Sequence, residues 1–167
     1  MTGRRTGRTL LVGGLLLTLL ASGCGVWPSG VITGRSAVSG PSSQGVVLYL
    51  LSQDELVLTL RPAKVDPSPA EALALLAAGP DENERGNGFT SEVPAGLVPV
   101  KVAPGVDRSG LAVTTSGAAQ PLSANAVDQI VCTVADVAAR TGLAESFVPV
   151  TIVGSDGARQ PRRCPLQ

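Results

Sequence analysis

Two consecutive apolar stretches, the first beginning at residue 46 and the second at residue 56, predict a β-hairpin. Residues 46–51, VVLYLL, form a continuous apolar run that is typical of a buried strand. After a polar break at residues 52–55, apolar and other residues alternate over residues 56–61, LVLTLR, and this places three leucines on one face. The alternation indicates a second strand with one face packed against the rest of the protein.

The next apolar segment has three agreeing signals for the start of an α-helix. Ser68 is a favourable N-cap, Pro69 suits the first helical position, and Glu71 completes a Ser-x-x-Glu capping box. Residues 70–78 are rich in alanine and leucine, and a Gly-Pro pair after them ends the helix. Because Glu71 is the one polar residue of this helix, we expect the helix to be buried on most of its sides.

A second helix is predicted from Ser123 to about Arg140. Ser123 provides its N-cap and Gly142 its stop. Apolar side chains recur at helical spacing and form one face, consisting of Val127, Ile130, Val131, Val134, Val137 and Ala138.

Four shorter segments predict the remaining strands, at residues 89–93, 97–102, 111–114 and 147–153. The economical way to bury the apolar faces of both helices is to pack them on a single sheet. We therefore expect an α+β sandwich, in which two helices cover one mixed, mainly antiparallel sheet of about five or six strands.

Residues 1–23 have the anatomy of a secretory signal peptide. Three arginines precede a leucine-rich run of about 12 apolar or small residues, fewer than the roughly 20 that a membrane span needs. The run ends in Ala21-Ser22-Gly23-Cys24, which resembles the lipobox of bacterial lipoproteins. The resemblance implies cleavage before Cys24 and attachment of lipid, such as palmitate, to its thiol. The alternative is a simple cleavage site, after which Cys24 is an ordinary residue.

Residues 24–45 are rich in Gly, Ser and Pro and predict a flexible tether with a mean reach of about 25 Å. We expect a folded domain at residues 46–157 and a C-terminal tail at residues 158–167. The expected location is the extracytoplasmic face of the cell membrane, where the membrane itself is a partner through lipidated Cys24.

Composition narrows the chemistry that this chain can perform. Its 167 residues include 13 Lys and Arg against 13 Asp and Glu, and no histidine. A chain without a basic excess is not expected to bind nucleic acid. The lack of histidine excludes Ser-His-Asp and Cys-His nucleophiles and histidine-containing metal sites. We expect no enzyme activity, no catalytic residues, no metal and no cofactor.

Two charged clusters are the remaining candidates for chemistry. Asp81, Glu82 and Glu84 could form a carboxylate pair for glycoside cleavage or a cation site. An acidic stretch after a helix more commonly caps a turn and forms a solvated face, and we favour that interpretation. Three tail residues could hold an acidic partner or lipid headgroups, although a solvated chain end is favoured; these are Arg159, Arg162 and Arg163.

The segment between the two helices resembles the GerMN sporulation and germination domain. The motifs that carry the resemblance are Ala72-Leu73 with Leu76, Gly79-Pro80, Arg85-Gly86, Thr90 and Val93-Pro94-Ala95-Gly96. The likeness covers residues 46–157. It implies a lipid-anchored or membrane-tethered α/β module in envelope or spore-coat assembly, of the type found in actinobacterial lipoproteins. No catalytic residues are established for that family.

Two cysteines remain after the signal peptide and the lipidation site, Cys132 on the second helix and Cys164 in the tail. On a helical wheel Cys132 points away from the apolar face, towards solvent or the tail. In an oxidising compartment this arrangement predicts a Cys132–Cys164 disulfide, and two unpaired thiols are the alternative. Closing a loop of about 33 residues would stabilise the fold by about 3–4 kcal/mol.

Two functional classes follow from these observations. The first is a non-enzymatic lipoprotein module that binds or positions an envelope protein partner in cell-envelope or sporulation-related assembly. Such a module would expose an apolar patch on its sheet. The second is a module that binds the glycan of peptidoglycan. Because sugar binding favours exposed aromatic faces, that module would have an open cleft containing Tyr49 or Phe89.

Overall fold

The computed structural model describes residues 45–106 and 109–166. The signal peptide, Cys24 and residues 24–44 of the tether lie outside the described residues. The strands are β1 (Gly45–Ser52), β2 (Glu55–Pro62), β3 (Phe89–Thr90), β4 (Val100–Pro104), β5 (Leu111–Thr115), β6 (Val150–Gly154) and β7 (Gly157–Ala158). The helices are α1 (Pro69–Ala77), α2 (Glu82–Gly86) and α3 (Ala124–Arg140), and Ala95–Leu97 form a short 3-10 helix.

β1 and β2 form the hairpin that the apolar pattern predicts. The two strands are antiparallel, and a two-residue turn joins Ser52 to Glu55. Both turn residues have positive φ angles, 52° at Gln53 and 65° at Asp54. This is the backbone of a type I′ turn, whose twist matches that of the flanking strands. β1 is buried along almost its whole length, as expected for a continuous apolar run.

The α+β class is confirmed, but the strands divide into two sheets instead of one. The first sheet has the order β2-β1-β3 and is antiparallel. The second has the order β4-β5-β6-β7, in which β5 and β6 are parallel and connected through α3. The apolar core is shared, with buried side chains from both sheets and from α1 and α3.

Two prolines between β3 and β4 account for the division into two sheets. The predicted strand that starts at residue 89 stops at Thr90, and the next one starts at Val100 instead of residue 97. Pro94 and Pro99 lack the N–H that a strand donates to its neighbour. The amide of Leu97 bonds to the carbonyl of Pro94 at 3.0 Å, within the 3-10 turn. The chain therefore leaves the first sheet early and enters the second one late.

α1 has the predicted capping box, but it is buried on one side only. The hydroxyl of Ser68 accepts from the N–H of Glu71 at 3.3 Å, and the Glu71 carboxylate accepts from the N–H of Ser68 at 2.8 Å. The buried side consists of Pro69, Ala72, Leu73, Leu76 and Ala77. Ala74 and Leu75 are exposed. Burial on most sides is therefore a wrong expectation, because α1 contacts α3, β1 and β4 while Ala74 and Leu75 remain exposed.

α3 is the central helix of the domain. Its six predicted apolar residues are all buried, and Gln129, Cys132 and Thr133 on its other sides are fully enclosed as well. Ser123 caps the helix, since its hydroxyl accepts from the N–H of Ala126 at 3.0 Å. No helix within residues 45–106 and 109–166 is long and apolar enough to cross a membrane.

The last predicted strand begins three residues later than its apolar pattern indicates. β6 starts at Val150, because the backbone turns at Phe147, whose φ is 66°. A left-handed residue of this kind is incompatible with an extended strand. The polar turn at residues 155–156 is present, and it leads into β7, a two-residue strand that the sequence pattern does not predict.

Candidate interaction surface

The C-terminal tail is fixed across α3 by a disulfide and an ion pair. Cys132 is bonded to Cys164, and their Cα atoms are 4.7 Å apart. Cys132 thus lies opposite the apolar face of α3, as the helical wheel places it, but buried beneath the tail. One turn earlier on the same side, Asp128 contacts Arg162 through two atom pairs at 2.6 and 2.8 Å. The backbone of Arg162 also bridges to Val150 of β6.

The tail arginines use their hydrogen-bond donors within the domain. Besides the pair that Arg162 forms with α3, Arg163 donates to the backbone carbonyl of Phe147. The guanidinium of Arg159 donates over 2.7–3.1 Å to three backbone carbonyls ahead of α3, those of Ala119, Gln120 and Leu122. These residues therefore hold the tail in place, which weakens the idea that they bind an acidic partner or lipid headgroups.

Asp156 fixes the turn between β6 and β7 to the same loop. Its carboxylate accepts from the N–H groups of Ala119 at 2.7 Å and Gln120 at 3.0 Å. The bond from Ala119 is the main reason that the pKa of Asp156 is lowered. Gly154 allows this close approach, because a Cβ at that position would lie 2.3 Å from the Ala119 nitrogen.

Two of the three residues in the acidic cluster after α1, Asp81 and Glu84, have structural roles. Asp81 caps α2 as predicted, accepting from the N–H of Glu84 at 2.8 Å. Glu84, however, is buried and accepts from Arg61 of β2 at 2.5 Å, so a solvated face is a wrong expectation for this residue. Glu82 is exposed. Within the described part of the chain, no group of three or more His, Cys, Asp and Glu side chains could hold a metal.

Neither aromatic residue considered for sugar binding presents an open face. Tyr49 is only 4% exposed, and burial raises the pKa of its hydroxyl, with a smaller contribution from Asp136. Phe89 is half-buried and packs against the core. Phe147 has the more accessible ring, 54% exposed, on the turn before β6. The open cleft that the glycan-binding class requires at Tyr49 or Phe89 is therefore not formed.

Buried polar side chains of α3 close one edge of β1. The amide of Gln129 donates to the carbonyl of Tyr49 at 2.9 Å, and the hydroxyl of Thr133 accepts from the N–H of Tyr49 at 3.1 Å. The amide oxygen of Gln129 also accepts from the N–H of Glu92, after β3, at 2.9 Å. β3 pairs with β1 only at the last two residues of β1. These side chains therefore take the place of a neighbouring strand at Tyr49.

The opposite edge of the same sheet exposes leucine side chains. Leu58 and Leu60 of β2 are 50% and 46% exposed, whereas Leu56 of the same face packs against the core. These two leucines form a small exposed apolar patch on the sheet, a feature that the sequence analysis expects of a partner-binding module. By contrast, Asp81, Glu84 and the tail arginines are engaged in contacts within the domain.

A second apolar surface lies beside the exposed side of α1. A shallow groove of about 450 Å³ separates this helix from the start of β4. Its lining consists of Ala70, Glu71, Ala74, Val98, Pro99 and Val100. Glu71 is the one charged residue there, and its carboxylate is already occupied by Ser68.

Comparisons with known proteins agree with this fold. No protein-family model matches the chain, and no curated protein matches it. Among solved structures, the chain is similar to the first GerMN domain of the sporulation protein GerM from Bacillus subtilis. The TM-score is 0.50 and the identity 20%, with 70% of this chain and 86% of that chain covered. At this level of identity the likeness concerns the fold alone, and we conclude that the chain has a GerMN-like α+β fold.

Proposed function

We propose that this chain is a lipid-anchored, non-enzymatic module on the extracytoplasmic face of the cell membrane. Its domain binds or positions protein partners in cell-envelope or sporulation-related assembly. The observation that carries the proposal is the exposed leucine face of β2, with Leu58 and Leu60 about half accessible. Asp81, Glu84 and the three tail arginines, which could have contributed to a reactive site, instead have structural partners.

Location outside the cytoplasm is supported by two independent features. The first 24 residues combine an arginine-containing start, a leucine-rich run and Ala-Ser-Gly-Cys. The Cys132–Cys164 bond suits an exported protein, because disulfides persist in oxidising compartments and are rare in the cytosol. The similar solved domain belongs to a sporulation protein, which supports a role in that process for this chain.

The anchor is tested by metabolic labelling of the full-length chain with a palmitate analogue, followed by membrane fractionation. We expect the wild-type chain to incorporate label and to sediment with membranes, and Cys24→Ala to lose both. Cys164→Ala is the control for the loss of a different cysteine, since it removes one partner of the disulfide with Cys132 and should keep the label. Wild-type protein that is unlabelled and recovered from the cytoplasm would contradict the proposal.

Partner binding is tested against the alternative, which is binding of peptidoglycan. Full-length chain in detergent is mixed with purified peptidoglycan and sedimented at low and moderate salt. We expect it to stay in the supernatant, because Tyr49 and Phe89 do not offer open aromatic faces. Saturable pelleting that survives moderate salt would replace the protein partner with the glycan.

A further inference from the structure

The sheet edges among the described residues differ in length and chemistry. β3 and β7 each form an edge of only two residues. The edge strand β4 contains Lys101 and lies beside α1. Short strands and lysine side chains are features that keep an edge from pairing with another chain. β2 differs from these three, because it is eight residues long and has leucines at its centre.

The register shows which backbone groups face this open edge. Tyr49 of β1 directs its N–H and C=O away from β2, to side chains of α3. Directly opposed residues of an antiparallel pair point these groups either towards each other or both away. Leu58 opposes Tyr49, so its N–H and C=O point outwards. The same holds for Leu56 and Leu60, two residues to either side.

We propose that a second copy of this chain pairs with the outer edge of β2, antiparallel and about a two-fold axis at Leu58. In this register Leu58 meets Leu58 of the second copy, and Leu56 meets Leu60. The three-stranded sheets of the two copies then form one continuous six-stranded sheet, and all of these leucines lie on the same face of it. Because each copy contributes one open edge, the assembly closes as a dimer.

Side-chain matching and backbone chemistry favour this register over its neighbours. With the axis at Leu58, each of the three leucines lies opposite another leucine. An axis one residue earlier would place Leu60 opposite Asp54. An axis one residue later would place Leu56 opposite Pro62, which has no N–H to donate. The edge is thus self-complementary in one register, which makes a second copy the fitting partner.

The register is tested by cysteine cross-linking of the full-length chain in lysed cells, with copper phenanthroline as the oxidant. Leu58→Cys should form a disulfide-linked dimer on a non-reducing gel, because opposed Cα atoms lie about 5.5 Å apart at such a pair. Leu60→Cys is the matched control. Its two copies would be about 13 Å apart along the strands, too far for a disulfide.

The outcomes divide cleanly. Dimer from Leu58→Cys, with little or none from Leu60→Cys, supports the proposal. Equal dimer from both variants, no dimer from Leu58→Cys, or a Leu58→Cys adduct to a different protein would overturn it. Because both variants keep the same three native cysteines and the oxidant is added after lysis, failed export or lipidation would change the background of both variants equally. Failure of the proposed function would therefore appear separately, in the palmitate labelling.

A second pair of variants guards against accidental collisions. Leu56→Cys and Leu60→Cys, co-expressed with different tags, should cross-link to each other across the proposed axis. Adding Leu58→Lys to both chains places two ammonium groups at the axis, and like charges directly opposed are destabilising. We expect a loss of cross-linked heterodimer of at least several-fold. Unchanged cross-linking with Leu58→Lys would contradict pairing through β2.

Discussion

The two sides of the first sheet are completed in opposite ways. On the β3 side, where the next strand is only two residues long, α3 supplies Gln129 and Thr133 to satisfy the backbone of Tyr49. On the β2 side, no described residue pairs with the outward groups of the strand. The difference shows that access to water determines whether the backbone groups of a sheet edge need a partner within the protein. Unpaired backbone groups are costly in the interior and must be satisfied there, whereas at the surface water or a second chain can satisfy them.

Removing the disulfide between α3 and the C-terminal tail should give the largest loss of stability. Cys164→Ala removes the disulfide that ties the tail to α3, and we expect the free energy of unfolding to fall by about 3–4 kcal/mol. Urea unfolding of the exported protein measures the loss. Reduction of the wild-type protein with dithiothreitol should reproduce most of it. A loss below about 1 kcal/mol would show that the ion pair of Arg162 is sufficient to hold the tail.

Removing the side-chain amide of Gln129 should disrupt the β3 side of the first sheet, where this amide bonds to Tyr49 and Glu92. Gln129→Leu keeps a similar volume but leaves the buried carbonyl of Tyr49 and the part-buried N–H of Glu92 without their partner. We expect a loss of about 2–3 kcal/mol in the free energy of unfolding, since an unsatisfied buried group costs about 1–3 kcal/mol and a part-buried one costs less. Gln120→Leu, at an exposed amide, is the control and should cost less than about 1 kcal/mol.

A smaller loss of stability is expected when the Thr133 hydroxyl, the other side-chain partner of Tyr49, is removed. Thr133→Val removes one buried acceptor, that of the Tyr49 N–H, and should cost about 1–2 kcal/mol. Hydrogen exchange gives a local measurement, because the Tyr49 amide should exchange faster relative to other β1 amides. Thr114→Val, at an exposed position of β5, makes the same substitution and should leave the free energy of unfolding and the exchange of the Tyr49 amide nearly unchanged. Equal effects at the two threonines would contradict this role of Thr133.

Asp156 offers a pH test on the second sheet. Its pKa is lowered in the folded state by the N–H groups of Ala119 and Gln120, while the unfolded value is about 3.9. The stability that it contributes is therefore present above pH 4 and is lost as the pH falls through the lowered folded value. We expect Asp156→Asn to be less stable than wild type near pH 7, with the difference narrowing in acid. Asp66→Asn, at an exposed position, is the control.

The smallest effect on stability should come from a substitution on β2, at the unpaired edge of the first sheet. Leu58→Thr replaces a half-exposed leucine with another residue that suits a strand, and dilute protein should unfold within about 0.5 kcal/mol of wild type. The same substitution at buried Leu50 should be strongly destabilising. A large loss at Leu58 would mean that β2 is covered in the folded chain.

Local sequence signals predict the elements well where neighbouring residues decide the outcome. The β1–β2 hairpin follows from apolar runs and a polar break, and the two long helices follow from Ser68 and Ser123 as caps. The pairing of Cys132 with Cys164 follows from the position of Cys132 on the helical wheel and from the oxidising compartment that the sequence analysis expects. In each case the relevant partners are close in sequence or are chemically unique in the chain.

The candidate surface is less predictable, because burial of a polar residue depends on contacts that are distant in the chain. Gln129 and Thr133 lie off the apolar face and would ordinarily be assigned to solvent, yet they are fully enclosed against a strand some 80 residues earlier. Glu84 was similarly expected in water and is paired with Arg61. An i, i+4 polar pair on an otherwise apolar helix is the one local signal that could have identified the contact with β1.

The sequence by itself determined the β1–β2 hairpin, α1 and α3 with their N-caps, and the α+β class, because these depend on local spacing and residue type. Only the tertiary structure decided that the strands form two sheets, which side of α1 stays exposed, and that one edge of the first sheet is closed while the other presents leucines. Those outcomes depend on which surfaces meet across long sequence separations. A strand edge has the same local sequence pattern whether a helix, water or a second chain lies beside it.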